Sequence, residues 1–325
     1  MKPIRFGVLM RRLAPQGQFP ESTWIQKVQR LEMLGYSSFL ITDHFNNQWE
    51  PVATLGAIAM VTSKLKLGTL VFCVDYRHPT VLAQAGATLH LLSRGRYEFG
   101  IGAGWTKKEF EQSGFPYNKA SVRIERLEET LQAIKSLWIQ KQTTFKGKYI
   151  HLSNYGPPAE LPEGEFPPII VGGGGKKLLS VAGRHADIVS IVPSWPKGRV
   201  SEDNLGAHTI ESIQKRIDWV KSAAIDFERN PDEIEFNTLY RYVAITEDKQ
   251  SAYKECAKML NISTEVIAEN PFFLIGSVSE IREAIKELYK DLGISYFIIS
   301  GDLHEFNLIE EFANSILQPL KQELS

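Results

Sequence analysis

The residues best suited to proton transfer stand where a short apolar run ends. Phe39-Leu40-Ile41 is followed by Thr42, Asp43 and His44. Such a run is typical of a buried strand, and parallel α/β folds place their chemistry at the carboxyl ends of the strands. His44 could give or take a proton near neutral pH. Alternatively, Asp43 caps the next helix and His44 packs as a neutral ring, so this pair alone leaves both interpretations open.

Two glycine-rich segments also follow predicted strands. The run Gly172, Gly173, Gly174, Gly175 is followed by Lys176 and Lys177, which begin a helix. Glycines let the backbone approach a ligand, and a helix N-terminus favours an anion, so this run predicts a phosphate-binding loop, although a plain tight turn is the alternative. It matches neither the Walker spacing nor the G-x-G-x-x-G fingerprint. The segment Gly102-Ala103-Gly104-Trp105 predicts either a turn or close approach to a flat ligand, with Trp105 as a wall.

Further candidates are less specific. Cys73, at the end of a predicted strand, could be a nucleophile, but a lone cysteine there is more often inert packing. Trp195, Lys197 and Arg199 could form a mobile lid or simply a solvated loop. No His and Cys spacing indicates a metal site, and no G-x-S-x-G elbow is present.

These residues are positioned by eight short apolar segments that alternate with helices, which predicts a (β/α)8 barrel, with a doubly wound sheet and cap domain as the alternative. The chain is expected to be a single domain over 1–325, with an insertion at about 139–166 that carries a small hairpin, and irregular segments at about 193–207 and 261–276. The predicted strands are 4–10, 36–41, 65–73, 97–101, 167–171, 187–192, 233–246 and 296–300. The principal predicted helices are 21–34 with Ser22 as N-cap, 51–61, 79–92, 176–185, 208–227, 248–260, 278–292 and 308–320.

Composition limits the class of protein. The 325 residues carry Lys+Arg 37 against Asp+Glu 38, for a net charge of -1, which argues against nucleic acid or an anionic membrane as the main partner. Cys73 and Cys256 are the only cysteines, so no disulfide framework is expected. No apolar run is long enough to span a bilayer, and a cytoplasmic protein is predicted.

Several of these segments, in this order, resemble the bacterial-luciferase-like superfamily, and most closely its branch often labelled F420-dependent oxidoreductases. The segments that carry the resemblance are 42–45, 68–71 running to 76–79, 95–96, 102–105, 123–129 and 167–175. They cover nearly the first two-thirds of the chain, whereas the last third matches only in its alternation of strands and helices.

The resemblance implies a TIM barrel that binds FMN or coenzyme F420 at its C-terminal face. It implies that Asp43 and His44 lie near the ring, with His44 as proton donor or acceptor. It further implies a bulge after the third strand, often with a non-proline cis peptide, here expected at Cys73–Val74. The residues expected to contact the cofactor are Asp43, Val71, Cys73, Val74, Tyr76, Gly102, Gly104, Gly172, Gly173, Gly174 and Gly175. Sugar-phosphate dehydrogenases of the family have an acid in the loop where this chain has Trp105, so that substrate is not carried over.

The predicted function is therefore oxidation or oxygenation of a small organic substrate, by oxygen chemistry with FMN or by hydride transfer with F420. A flavin reductase is a possible partner, and a homodimer is expected from the resemblance alone. Two alternatives stay open: a flavin-free barrel enzyme acting on a phosphorylated metabolite, and a non-catalytic flavin-binding barrel.

Overall fold

The barrel predicted from the alternation is present. The computed structural model describes residues 1–14, 17–20, 23–301 and 306–324. Parallel strands pair in the order β3-β2-β1-β13-β10-β9-β8-β5-β4, and β3 pairs also with β5, which closes the sheet. Each of the strand positions around the barrel is here called a stave. Because β3 and β4 are two pieces of one stave, the closed barrel has eight staves, and the prediction of a (β/α)8 fold is confirmed.

The elements have the following bounds. The strands are β1 Arg5–Met10, β2 Ser38–Ile41, β3 Lys66–Thr69, β4 Phe72–Cys73, β5 Tyr97–Gly102, β6 Thr143–Lys146, β7 His151–Tyr155, β8 Ile169–Gly173, β9 Ile188–Ile191, β10 Glu235–Tyr240, β11 Tyr242–Ile245, β12 Phe273–Gly276 and β13 Ile294–Ser300. The helices are α1 Thr23–Met33, α2 Pro51–Val61, α3 Pro79–Leu92, α4 Lys107–Gln112, α5 Ala120–Ile139, α6 Lys176–His185, α7 Glu202–Gly206, α8 Ile210–Asp226, α9 Lys249–Leu260, α10 Thr264–Glu269, α11 Val278–Leu292, α12 Phe306–Phe312 and α13 Gln318–Glu323. A 3-10 turn covers Pro231–Glu233 and a π-helical turn covers Ala313–Leu317.

Apolar side chains fill the centre of the barrel, and an ion network fills its N-terminal end. Leu9, Leu40, Ile170, Ile188, Tyr296 and Ile298 form the central cluster. Below it the Arg5 guanidinium donates to Glu98 at 2.8 Å and, through two nitrogens, to Glu235. A charge buried this deeply is tolerated only when it is paired. The chemistry is therefore confined to the opposite, C-terminal end.

The third stave is interrupted where a continuous strand over 65–73 is predicted. The break falls at Leu70–Val71, whose peptide bond is cis, so the assignment of the cis bond to Cys73–Val74 is wrong. At the break, the Thr69 side chain takes the place of backbone hydrogen bonds to the neighbouring strand. Its hydroxyl donates to the Gly100 carbonyl at 2.8 Å and accepts from the Gly100 amide at 3.0 Å. A Cβ at Gly100 would lie 1.8 Å from the Thr69 carbonyl oxygen, so only glycine permits this approach.

The seventh predicted strand, 233–246, is also wrong as one element. The chain turns at Arg241 and divides into β10, which belongs to the barrel, and β11, which pairs in parallel with β12 outside it. The segment 261–276, predicted to be irregular, therefore contains α10 and β12. These elements enclose a satellite apolar cluster beside the barrel mouth, formed by Leu205, Cys256, Ala257, Ile267, Phe272 and Phe273.

The small hairpin predicted within 139–166 is present, whereas the segment 193–207 holds more structure than expected. The hairpin β6–β7 is antiparallel and lies within 139–166. The polar segment contains the short helix α7, which is capped by the Ser201 hydroxyl accepting from the Asn204 amide. The predicted cap Ser22 lies outside the described residues.

Candidate active site

A cavity of about 560 Å³ opens at the carboxyl ends of the barrel strands. This volume is within the usual range of about 300–1,000 Å³ for ligand pockets. Of the predicted site residues, the cavity is lined by Asp43, His44, Val71, Cys73, Tyr76, Gly102, Gly104, Gly172, Gly173, Gly174 and Gly175. Val74 is the exception: it is buried in the layer between strands and helices and does not line the cavity, so its prediction as a contact residue is wrong.

Asp43 fastens the second stave to the third. Its Oδ2 accepts from the Cys73 amide at 2.9 Å and from the Arg77 guanidinium at 2.7 Å. Both partners fix the carboxylate, whose side chain is 3% exposed. Asp43 therefore orients the interrupted stave and is already committed to protein donors. The Cys73 thiol beside it is held neutral, because burial raises its pKa, which does not fit a nucleophile.

His44 is paired with an acid that the sequence analysis missed. Its Nδ1 lies 2.7 Å from Oε2 of Glu109, which is on α4, and the other carboxylate oxygen of Glu109 accepts from the Phe45 amide. Burial alone would raise the pKa of Glu109, but the hydrogen bond and charge of His44, with the Phe45 amide, outweigh it and lower this pKa. An ionised Glu109 makes Nδ1 the protonated nitrogen, which leaves Nε2 to exchange a proton. Nε2 has no hydrogen-bond partner in the described part of the chain.

Glu109 was missed because it stands four residues after Trp105 on a short, strongly charged helix, where surface placement is the usual outcome. The Gly-x-Gly-Trp turn brings α4 back over the strand ends and places this side chain in the cavity with 3% exposure. At Gly104 φ is +70°, and an added Cβ would meet Cys73 Sγ at 2.6 Å, so the turn depends on glycine. The available signal was the acid that the family resemblance implies for the loop after the fourth predicted strand. Glu109 follows that strand and lines the cavity, so the inference from Trp105 that this acid is missing is wrong.

The glycine run 172–175, here called the glycine cradle, spans the end of β8 and the N-cap of α6, where the sequence predicts a phosphate-binding loop. Gly175 caps α6, and a Cβ on Gly174 would lie 2.4 Å from the Val192 carbonyl oxygen and 2.7 Å from the Ser194 amide nitrogen. Exposed amides at a helix N-terminus suit a phosphate. Lys176 and Lys177, which begin α6, do not line the cavity, and Lys177 pairs with Glu125 at 2.8 Å, so these lysines do not supply charge to the site.

The positive charge near the cradle comes from a buried arginine instead. Arg216 on α8 donates from Nε to the Gly174 carbonyl at 3.1 Å, and its Nη1 lies 2.6 Å from His208 Nδ1. Burial and the neighbouring Arg216 charge lower the pKa of His208 to about 3, so this imidazole is neutral and accepts from the guanidinium. The cation is therefore held against the back of the cradle. Arg216 lies within α8 and not at the end of a strand, so it was not among the predicted site residues.

Two tryptophans cover the cavity. The rings of Trp105 and Trp195 have centroids 5.7 Å apart, and Trp105 also meets His44 edge-on at 6.0 Å. The Trp195 loop is tied to α4, since the Lys107 amide donates to the Gly198 carbonyl at 3.2 Å. Lys197 and Arg199 of this loop are exposed and do not line the cavity. The covering surface is thus apolar.

The arrangement suits an organic cofactor better than a metal. Within the described ranges, no cluster of three or more His, Cys, Asp or Glu side chains is placed to hold a metal ion. Cys73 and Cys256 are both free and buried. Among the helices that the structure describes, none combines the length and hydropathy of a membrane span. A flat ring with a phosphate fits the residues present, because one wall is the interrupted third stave and another is the glycine cradle.

Comparison with known proteins agrees with this architecture. Residues 10–296 match the model of a family described as luciferase-like monooxygenase. The chain is 25% identical over 324 residues to the F420-dependent glucose-6-phosphate dehydrogenase of Amycolatopsis mediterranei (strain U-32), covering 94% of this chain and 96% of that protein. It is 28% identical over 315 residues to the enzyme of the same name from Kineococcus radiotolerans (strain ATCC BAA-149 / DSM 14245 / SRS30216), covering 91% of each. An F420-dependent secondary alcohol dehydrogenase in complex with an F420-acetone adduct superposes with a TM-score of 0.79 at 21% identity, over 98% of this chain and 99% of that chain, which shows the shared fold.

Proposed function

This chain belongs to the luciferase-like monooxygenase family, and from that premise we propose that it is an F420-dependent dehydrogenase acting on an alcohol or the corresponding carbonyl compound. The family resemblance predicted from the sequence is thereby confirmed, as is an oxidoreductase that uses FMN or F420. The choice of F420 follows the names of the curated relatives, and the choice of alcohol oxidation rests on one observation above all. The His44–Glu109 pair faces the same cavity as the glycine cradle, which supplies the proton acceptor that oxidation of an alcohol requires.

The cofactor would be held by three parts of the cavity wall. Gly174 and Gly175 would bind its phosphate through their amides, with the Arg216 charge behind them. The face of the third stave at Val71 would support the ring, and Gly102 leaves room there, because a Cβ on Gly102 would meet Val71 Cγ2 at 2.7 Å. When bound, F420 supplies a two-electron centre that accepts or returns a hydride.

The protein's own part in the reaction is proton transfer. With Glu109 ionised and bonded to Nδ1, His44 presents Nε2 to the cavity. Nε2 would take the hydroxyl proton as the alcohol is oxidised and return it in the reverse direction. Glu109 would hold the ring in the required tautomer and stabilise the imidazolium that forms, and Asp43 would keep the third stave in place.

The apolar cover would limit access of water. Trp105 contacts the His44 ring, and Trp195 packs on Trp105 and on the satellite apolar cluster. Exclusion of water strengthens the electrostatic interaction between His44 and Glu109 and protects a hydride donor. The Trp195 loop would therefore act as a lid over the substrate, which is one of the two alternatives that the sequence leaves open.

FMN-dependent oxygenation is the second candidate, because the family description itself is that of a monooxygenase. In that case a flavin reductase would be a partner. The homodimer expected from the resemblance also belongs to the proposal, and the size of the protein in solution tests it.

The test uses the purified protein with F420 and a panel of secondary alcohols, hydroxy acids and sugar phosphates. The visible absorbance of F420 and the dissolved oxygen are followed together, aerobically and anaerobically. Loss of F420 absorbance that needs an alcohol, proceeds without oxygen and consumes none supports the proposal. Oxygen uptake that requires reduced FMN and a substrate would replace it with the monooxygenase function.

A further inference from the structure

Two arginines line the cavity on either side of β13. Arg11 follows β1, and Arg241 stands at the turn between β10 and β11. In the closed sheet β13 lies between β1 and β10, and Ser300 at its end also lines the cavity. The cradle follows β8 and the interrupted stave lies between β2 and β5. The two arginines therefore flank the wall that faces the proposed cofactor site.

Neither guanidinium is neutralised by the protein in the part of the chain that the structure describes. No hydrogen bond or ion pair joins the side chain of Arg11 or Arg241 to a residue within 1–14, 17–20, 23–301 or 306–324. Burial lowers the pKa of Arg241, and the charge of Arg11 lowers it further, so the two cations are close enough to repel. Two like charges at a cavity wall favour an anion between them.

The other charged groups of the cavity are already paired. Asp43 accepts from Arg77, and Glu109 accepts from His44. Arg123 donates to the carbonyl oxygens of Ala103 at 3.1 Å and of Gly104 at 3.3 Å. Arg11 and Arg241 thus differ from every one of these groups, because no described residue accepts a hydrogen bond from their side chains.

We propose that Arg11 and Arg241 bind an anionic group of the substrate, a carboxylate or a phosphate, while the reacting carbon lies at His44. This inference rests on the proposed function and names its substrate class. The wall beside Arg241 is apolar, formed by Leu239, Phe272 and Phe273. The substrate is accordingly a hydroxy compound whose anionic group is separated from the reacting carbon by an apolar or weakly polar body.

The test measures anion binding by calorimetry on protein saturated with F420, so that the cradle is occupied. Phenyl phosphate and benzoate are the probes, with benzyl alcohol as the uncharged comparison. Arg241→Gln and Arg11→Gln are each expected to lower the affinity for one or both anions about tenfold or more, because each loses a charge-assisted hydrogen bond. The affinity for benzyl alcohol should stay unchanged in both variants. Arg199→Gln removes an exposed cation of the Trp195 loop that does not line the cavity and is the matched control, expected to change nothing.

Which anion binds more tightly separates a carboxylate substrate from a phosphate ester. Equal anion affinity in wild type, Arg241→Gln and Arg11→Gln, or no binding of either anion to wild type, overturns the inference. Weaker F420 binding in the arginine variants also overturns it, since the pair would then belong to the cofactor. If Arg241→Gln fails to fold, two variants still test the inference. Arg241→Lys keeps the positive charge, and Arg11→Gln changes an exposed residue that the fold tolerates.

F420 binding separates the two proposals. F420 binding without anion binding removes this inference alone. If F420 does not bind, the same titration on unloaded protein decides: anion binding lost in the arginine variants keeps the site and removes the F420 function.

Discussion

The glycine cradle gives the sharpest prediction, through Gly174→Ala. An added Cβ would lie 2.4 Å from the Val192 carbonyl oxygen and 2.7 Å from the Ser194 amide nitrogen. Contacts of a Cβ below 3.0 Å are essentially not found, so the cradle must move by at least about 0.6 Å. Both opposing atoms are backbone, so no side-chain rotation relieves the contact.

That shift is large enough to misalign amides with a phosphate. A hydrogen bond to a charged group contributes about 1.5–3 kcal/mol, so the loss of one such bond weakens cofactor binding roughly 10- to 100-fold. Gly56→Ala is the control. Gly56 lies on α2 and does not line the cavity, and no atom lies within 4 Å of an added Cβ there, so alanine is accommodated. Its cofactor affinity should stay within about threefold of wild type, as for a substitution that disturbs no contact.

The assay is a fluorescence titration with F420, or with FMN if FMN is the form that binds, alongside thermal unfolding of each variant. The expected result is a folded Gly174→Ala protein with weakened cofactor binding beside a Gly56→Ala protein that binds the cofactor normally. Wild-type affinity in a folded Gly174→Ala protein would refute the assignment of the cradle to the phosphate. An equal loss in both variants would show that steric contact at Gly174 is not the cause.

Three further predictions concern proton transfer, the barrel base and acid stability. His44→Gln should bind F420 normally and lower kcat by about 10²–10⁴-fold, the usual contribution of a general base, in steady-state kinetics. Arg5→Met removes the guanidinium that Glu98 and Glu235 share and leaves buried Glu98 with only the partly exposed Lys66 ammonium at 3.2 Å and the Tyr296 hydroxyl at 3.4 Å. It should lower the free energy of unfolding by up to about 3–5 kcal/mol, measured with urea. The pKa of His208 falls from 6.5 to about 3 on folding, so between these values the unfolded chain binds the extra proton and stability is lost as pH falls. His208→Gln should therefore flatten the decline in unfolding free energy below pH 6.5, by at most about 1.4 kcal/mol per pH unit.

The first two of these have a control in the same chain. His151→Gln removes an exposed hairpin histidine and should leave kcat unchanged, and Arg30→Met removes an exposed pair with Glu310 that contributes less than about 1 kcal/mol. A fully active His44→Gln protein would remove the proposed base. A stability loss no larger for Arg5→Met than for Arg30→Met, or an unchanged pH slope in His208→Gln, would contradict the roles given to Arg5 and His208.

The barrel was predictable because its evidence is local. Apolar runs alternate with amphipathic helices, and capping residues fix several helix bounds, so α2, α3 and α11 begin and end where the pattern predicts. The breaks at Leu70–Val71 and Arg241 were not predictable at this level. The residues on both sides of each break have ordinary strand propensity. The break at Leu70–Val71 is set by Gly100 and the break at Arg241 by the pairing with β12, and both partners are distant in sequence.

The site followed the same division. Residues at strand ends, such as Asp43, His44 and the glycine run, could be found because the fold brings strand ends together. Glu109 and Arg216 reach the site from helices, where their charges predict a solvent-facing position. Their roles depend on the direction in which those helices cross the barrel, which the periodicity of the sequence does not specify.

The most direct test of an F420-dependent dehydrogenase is a titration of the cofactor-free protein with F420, FMN and reduced FMN, followed by fluorescence. The titration with reduced FMN is done under anaerobic conditions. We expect F420 to bind at least tenfold more tightly than either form of FMN, which corresponds to a difference in binding free energy of about 1.4 kcal/mol or more. A preference for reduced FMN would contradict the dehydrogenase and indicate a monooxygenase. Binding of none of the three would contradict the cofactor site itself and return the cradle to a phosphate of the substrate.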